Sequence, residues 1–204
     1  MKKVVLVLLG IFIFQFSVFS QKIDQSSIDE IDIKNIFKEQ GINFFKNQFT
    51  LNKGEYIDVD IEVYEKGKLI ETYNQLNEVC KLFGIDLESG DKFNYQVSRK
   101  DTTVYHRLYF FKQNDTLKTV INVPGLSSSF KYCISKVKYS DVFQIPDIPK
   151  NLEKKTILGF YYGIFKDNSK DFLECPSGLG PDKLISTFDI VIMIFGEKKK
   201  DNLI

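Results

Sequence analysis

Residues 55–64, with the sequence EYIDVDIEVY, decide the fold. Isoleucine or valine occupies every second position from Ile57 to Val63, and Asp58, Asp60 and Glu62 lie between them. This period of two residues predicts a β-strand with one apolar and one acidic face. The next four residues, EKGK, predict a turn, and residues 69–73 predict the returning strand of a hairpin. One face of this hairpin must be covered, so the chain has to supply a second layer.

Other segments repeat the strand pattern. Alternation of apolar and polar residues predicts strands in four more segments, which are 93–97, 104–111, 116–123 and 130–139. Residues 156–165 and 188–195 are almost continuously apolar, which predicts strands covered on both faces. Pro124-Gly125 and the serines at 127–129 predict a loop, and residues 197–204 predict a frayed tail.

Helical patterns are short and few. A capping box at Ser27 and Glu30 predicts a helix over about residues 28–40. A second helix is predicted over residues 76–83, and Pro181 begins a third that carries Leu184 and Ile185. About eight strands without βαβ alternation predict a mainly β fold, an antiparallel β-sandwich-like single domain with two or three short helices. An α+β fold is the alternative.

The N-terminus predicts export. Lys2 and Lys3 precede an apolar run at 4–14, and Val18 and Ser20 suit cleavage before Gln21. Residues 1–20 are therefore a predicted signal peptide, and residues 21–204 a single globular β-rich domain. The run is too short for a membrane span, which needs roughly 20 residues, although an uncleaved anchor is the alternative. The leader, which ends in FSQ, resembles those of Bacteroidota, and we expect a periplasmic or extracellular protein with no stable span after cleavage.

Charge and composition exclude some partners. The chain has 28 basic and 27 acidic residues, and loss of Lys2 and Lys3 leaves 26 basic residues and a formal charge of −1. This balance gives no long-range attraction to phosphate backbones, so we expect no nucleic acid partner. Arginine, the usual residue for bidentate phosphate recognition, occurs only at Arg99 and Arg107. A glycan, a peptide or a protein is the partner class that remains.

Cysteine and histidine do not form a recognisable site. Cys80, Cys133 and Cys175 are too widely spaced for a CxxC motif. They are either small buried hydrophobes or the source of one disulfide, with three pairings open. His106, the only histidine, cannot build a His-rich zinc site. The sequence therefore predicts no metal, no cofactor and no catalytic residue.

The loop CPSGLGPDK at 175–183 is the sharpest local feature. Glycines before a helix can present backbone N–H groups to an anion. A structural turn between two buried strands explains the glycines and prolines without a ligand and is the preferred interpretation. The weak ligand-binding candidates are at this loop and on the preceding strand: Glu174, Ser177, Gly178, Gly180, Tyr161 and Tyr162.

Three functions remain open. The preferred one is an exported, non-enzymatic ligand-binding or interaction module. The alternatives are a secreted hydrolase that uses Asp167, Asp171 or Glu174 as acidic groups, and an envelope or surface assembly component. In the last case the apolar strand at 188–195 would meet the partner.

Overall fold

Nine antiparallel strands form two sheets in this computed structural model, which describes residues 30–83, 100, 102–123, 126–146 and 148–200. One sheet has the strand order β1-β4-β5-β6, where the strands are β1 (Ile42–Leu51), β4 (Thr102–Gln113), β5 (Thr116–Val123) and β6 (Leu126–Cys133). The other has the order β3-β2-β9-β8-β7, with β2 (Glu55–Glu65), β3 (Lys68–Asn74), β7 (Val137–Gln144), β8 (Thr156–Phe165) and β9 (Ile190–Lys200). The predicted antiparallel, mainly β fold is confirmed.

Three short helices accompany the sheets in the described residues. They are α1 (Glu30–Glu39), α2 (Gln75–Phe83) and α3 (Pro181–Thr187). The chain divides into two units, residues 1–36 and residues 37–204. The described part of the first unit is residues 30–36 of α1, and the second unit contains both sheets. The signal peptide, the Ser27 cap and the strand predicted at 93–97 lie outside the described residues.

The core of the second unit lies between the two sheets. Alternate side chains of β2, from Ile57 to Val63, are at most 5% exposed and pack in one cluster with Leu108, Ile121 and Ile192. Burying these aliphatic groups removes them from water, which stabilises the sandwich by about 25 cal/mol for each Å² of apolar surface. The alternation that predicted β2 is therefore the pattern that builds the first layer.

A second apolar cluster covers the outer face of β8 and β9. Val191 and Met193 are fully buried there under Leu184 of α3 and Phe188. This third layer confirms that both continuously apolar strands are covered on both faces, and that Pro181 begins a short helix. The apolar residues of β9 are therefore interior in this unit.

Two predicted boundaries are wrong. Ser127–Ser129 belong to β6 rather than to a loop, because their backbone pairs with Val120–Asn122 of β5. The strand predicted at 130–139 is interrupted after Cys133, where the chain passes to the other sheet and continues as β7. Serine has no strong strand preference, so cross-strand pairing decided these residues rather than local pattern.

The predicted frayed tail is wrong for residues 197–200, and residues 201–204 lie outside the described part of the chain. Residues 197–200 continue β9, with Lys200 paired to Glu55 of β2. Ion pairs support this extension, since Lys198 contacts Glu55 at 3.3 Å and Lys199 contacts Asp58. No described helix has the length and hydrophobicity needed to cross a membrane.

Candidate functional site

The structure separates the residues that the sequence proposed as a site. Tyr161 and Tyr162 are neighbours on β8, so their side chains point to opposite faces of the sheet. Tyr161 belongs to the cluster between the sheets. Tyr162 lies on the outer face, where its ring centroid is 4.7 Å from that of Phe188, and burial raises its pKa to about 12.

The glycine loop is an exposed connection that leads into α3. Ser177, Gly178 and Gly180 are exposed, and Gly178 has a φ of +77°, which a glycine adopts without strain. Gly180 is the N-cap of α3 and gives it no side-chain hydrogen bond. The loop therefore has the features of a turn. Tyr162 belongs to the outer cluster that also contains Leu173 and Leu179 from this part of the chain, whereas Tyr161 lies on the opposite face of β8.

The acidic candidates form separate surface ion pairs. Asp167 pairs with Lys66 at 3.2 Å, Asp171 with Lys138 at 2.9 Å, and Glu174 with Lys170 at 2.7 Å. Each carboxylate side chain is between 44% and 86% exposed. A hydrolase that works with two acidic residues needs both carboxyl groups at the reacting bond, one of them held protonated. These three exposed carboxylates instead pair with three different lysines.

A different surface gathers charge at one end of the sandwich. It is a groove of about 680 Å³ between the β2–β3 turn, the connection from β6 to β7 and the end of β8. We call it the lysine groove, because its lining includes Lys66, Lys68, Lys136 and Lys166. Phe165 and Ile70 add apolar surface, and Glu65 and Asp167 are its acidic residues.

Backbone hydrogen bonds shape one segment of the lysine groove and join the other two to each other. Glu65 and Lys68 pair across a two-residue turn, in which Lys66 and Gly67 both have positive φ angles of 48° and 83°. These angles are those of the tight turn that matches strand twist. The N–H of Lys166 donates to the carbonyl of Lys136 at 2.7 Å, which joins the remaining two segments.

The charges of the lysine groove are unbalanced. Lys66 pairs with Asp167, and Tyr132 donates a hydrogen bond to the Glu65 carboxylate at 2.8 Å. Within the described part of the chain, Lys68, Lys136 and Lys166 have no acidic partner within 4.0 Å. All three are exposed. Three exposed ammonium groups are therefore available to an anionic ligand.

The edge strand beside the lysine groove exposes two large apolar side chains. Among the described strands β3 ends the order of its sheet, and residues 68–72 are all exposed. Leu69 and Ile70 are 54% and 55% exposed, and Ile70 also lines the groove. Natural proteins usually protect an edge strand, since its outer backbone groups invite another strand. An edge strand with an exposed apolar pair and a basic groove thus adjoin one another.

The cysteines lie outside this surface or at its border. Cys80 is buried on α2, as its apolar stripe predicted, and burial raises the pKa of its thiol. Cys133 and Cys175 are exposed, and all three are free thiols here. The Cys133 thiol donates to Ser135 at 3.4 Å, and this contact together with Lys136 lowers its pKa. The disulfide remains a prediction of the sequence.

Sequence reasoning missed the lysine groove because its residues are far apart in the chain. The sequence places Lys66 and Lys68 in a hairpin turn and Lys136 within a predicted strand. The usable signal is that a lysine directly follows β2 and β8, at 66 and 166. Only the topology shows that these ends meet.

The described residues contain no cluster of three or more His, Cys, Asp or Glu side chains that could hold a metal ion. No family model, no curated protein and no solved structure matches this chain.

Proposed function

We propose that this protein is an exported interaction module that binds an extended acidic segment of a partner protein in the lysine groove. The observation that carries the proposal is the set of three exposed lysines without acidic partners. Lysine acts as a flexible point charge and does not require bidentate geometry. It therefore suits a flexible chain of carboxylates better than one rigid anion.

The apolar edge beside the groove favours a peptide over a glycan. An extended peptide can add to β3 through its backbone while its alternate side chains contact Ile70 and the lysines. A glycan would leave the unpaired backbone groups of β3 unused. Association of this kind is steered by charge, so it should weaken as salt is added.

The binding test uses a fluorescein-labelled peptide in which Glu and Val alternate, followed by fluorescence polarisation. We expect the triple variant Lys68→Gln, Lys136→Gln, Lys166→Gln to lose roughly 3-fold to 150-fold in affinity, since each exposed charge pair contributes roughly 0.2–1 kcal/mol. The matched control replaces three exposed lysines elsewhere, Lys131, Lys150 and Lys154, with Gln. Hydrogen exchange should slow in residues 68–74 when the peptide binds.

Three results would contradict this proposal. The first is equal loss of binding in the control triple variant, since a general charge effect would explain it. The second is tight binding of polygalacturonate without binding of the peptide, which would favour an acidic glycan. The third is unchanged exchange at β3 on saturation with the peptide. Export is tested separately, since mass spectrometry of the secreted protein should find Gln21 at its N-terminus.

A further inference from the structure

A second cleft opens between the two sheets, and it shares no residue with the lysine groove. It has a volume of about 200 Å³ and lies between β1, β4 and β5 on one side and β7 and β8 on the other. We call it the interlayer cleft. Its polar lining comes from Lys38, Asn43, Lys112, Ser140 and Tyr161, with apolar contacts from Phe110, Leu117 and Val142.

Polar residues of the interlayer cleft lie at the rim of the core. On β4 the even-numbered side chains from Val104 to Phe110 are buried, and Lys112 continues this series on the same face as an exposed residue. On β1 Asn43 lies in the odd-numbered series of Asn47, Phe49 and Leu51 and is half-buried. Lys38 of α1 is exposed as well. The two lysines of the cleft are therefore at its exposed end.

Tyr161 is the deepest polar group of the interlayer cleft. It is 1% exposed, and among the described residues its hydroxyl makes no hydrogen bond of good geometry, although the Ser140 side chain lies close to it. Burial raises the pKa of this phenol to about 12, while the interaction with Ser140 opposes the rise. The hydroxyl is therefore protonated at neutral pH and can donate. A buried donor is unfavourable when it is not well hydrogen-bonded, and a ligand that accepts its hydrogen removes this penalty.

The cations of the interlayer cleft are not neutralised by carboxylates. Lys112 donates from Nζ to the Ser140 hydroxyl at 3.0 Å, and no acidic group of the described residues pairs with Lys112 or Lys38. Asp141 is the acidic residue of the lining, and its Oδ1 accepts the N–H of Val142 at 2.8 Å. The Lys112 ammonium, which has three N–H groups, therefore has donors left for a bound anion.

We propose that the interlayer cleft binds a small aliphatic carboxylate. Its carboxylate accepts hydrogen bonds from the Lys112 ammonium and the Tyr161 hydroxyl, and its short chain packs against Phe110, Leu117 and Val142. The volume is below the range of about 300–1,000 Å³ that holds drug-sized ligands, so the ligand is small. The side chains and the apolar wall together favour an organic acid over inorganic phosphate.

The test titrates acetate, butyrate and hexanoate into the ¹⁵N-labelled mature protein at constant ionic strength. We expect chemical shift changes to centre on Lys112, Ser140 and Tyr161, with butyrate binding more tightly than acetate and butyramide more weakly. Lys112→Met should weaken butyrate binding about tenfold or more, because a charge-assisted hydrogen bond is lost. Tyr161→Phe should weaken it several-fold and remain folded, since it removes only a hydroxyl that is not well hydrogen-bonded.

The matched control is Lys68→Gln in the lysine groove, which should leave butyrate binding unchanged. The proposal is overturned if no acid binds at millimolar concentration, if both cleft variants bind as the wild type does, or if phosphate competes as strongly as butyrate. Loss of butyrate binding in the control would overturn it as well. Because the probes and variants differ from those for the acidic peptide, either proposal can fail while the other stands.

Discussion

At the residue scale, the least expected feature is a pair of polar side chains inside the sandwich. His106 is fully buried on β4 and lies directly opposite Asn47 of β1, which is 6% exposed. Among the described residues, the two ring nitrogens of His106 have no hydrogen-bond partner, and the same is true of the side-chain amide nitrogen of Asn47. A buried polar group of this kind destabilises the fold. His106 therefore tolerates burial only in its neutral form.

His106 should make the stability of the protein sensitive to mild acid. Burial lowers its pKa to about 3 in the folded state, against about 6.5 in the unfolded chain. Below the unfolded value the unfolded state binds the extra proton, so this group reduces stability progressively from about pH 6.5 down to about pH 3. Between pH 7 and pH 5 the free energy of unfolding should fall by about 2 kcal/mol less in the His106→Leu variant than in the wild type. Urea unfolding at both pH values measures this difference.

Only the difference between the two proteins is diagnostic, because carboxylates also contribute to acid sensitivity in both. His106→Gln is a second variant that keeps a polar group but cannot titrate. It should show the same shallow pH dependence as His106→Leu, whatever its stability at pH 7. Parallel curves for the wild type and both variants would show that His106 does not titrate as its burial implies.

At the element scale, the pairing of β7 with β8 depends on one glycine. Gly163 lies opposite Ser140, and a Cβ at this position would lie 2.7 Å from the carbonyl oxygen of Tyr139 and 3.0 Å from Val137. Backbone cannot move away as a flexible side chain can. The two strands therefore approach each other at a distance that only glycine permits.

Gly163→Ala should destabilise the protein by about 1–3 kcal/mol, the usual penalty for overpacking a filled site. For a domain of this size the melting temperature falls by roughly 2–4 °C for each kcal/mol. The matched control is Gly180→Ala, because a Cβ there meets no atom within 4 Å and its φ is −73°. Melting temperatures are measured by circular dichroism. An equal decrease in both variants would refute the close approach of β7 and β8 at Gly163.

The elements predicted correctly from sequence are those whose burial is periodic. The alternation from Ile57 to Val63 and the apolar run at 156–165 each show in their own residues which faces of the strand are buried. Both the strands and their coverage could therefore be predicted from the sequence. Ser127–Ser129 and residues 197–200 have no such pattern, because their order comes from pairing with β5 and β2. The lysine groove was missed for the same reason, since its segments meet only through the topology.

At the scale of the whole molecule, the strand order joins distant parts of the chain. β9 lies between β2 and β8 at the centre of its sheet, and Glu55 pairs with Lys200. That sheet is not complete until the last described strand has been placed. Closing such long loops lowers the entropy of the chain before the stabilising contacts between the strands have formed.

We therefore expect slow refolding, on the millisecond-to-second scale typical of β-sandwiches. The chain has no tryptophan and ten tyrosines, so stopped-flow tyrosine fluorescence or circular dichroism is the suitable probe. Completion within microseconds would contradict a rate set by distant strand pairs. A matched comparison is the early hairpin β2–β3 as an isolated peptide, whose local pairing should form within about 1–10 μs.

The chain changes sheets at residues 134–136, and the lysine groove is built across this seam. Lys136 lies in the crossing itself. Lys68 begins β3 and Lys166 directly follows β8, and both strands belong to one sheet. An occupant that binds all three lysines would link this crossing to β3 and to the end of β8, in addition to the backbone hydrogen bond from Lys166 to Lys136. A ligand at a hundredfold excess over its Kd would add about 2.7 kcal/mol to the free energy of unfolding. Saturation of the lysine groove should therefore raise the melting temperature.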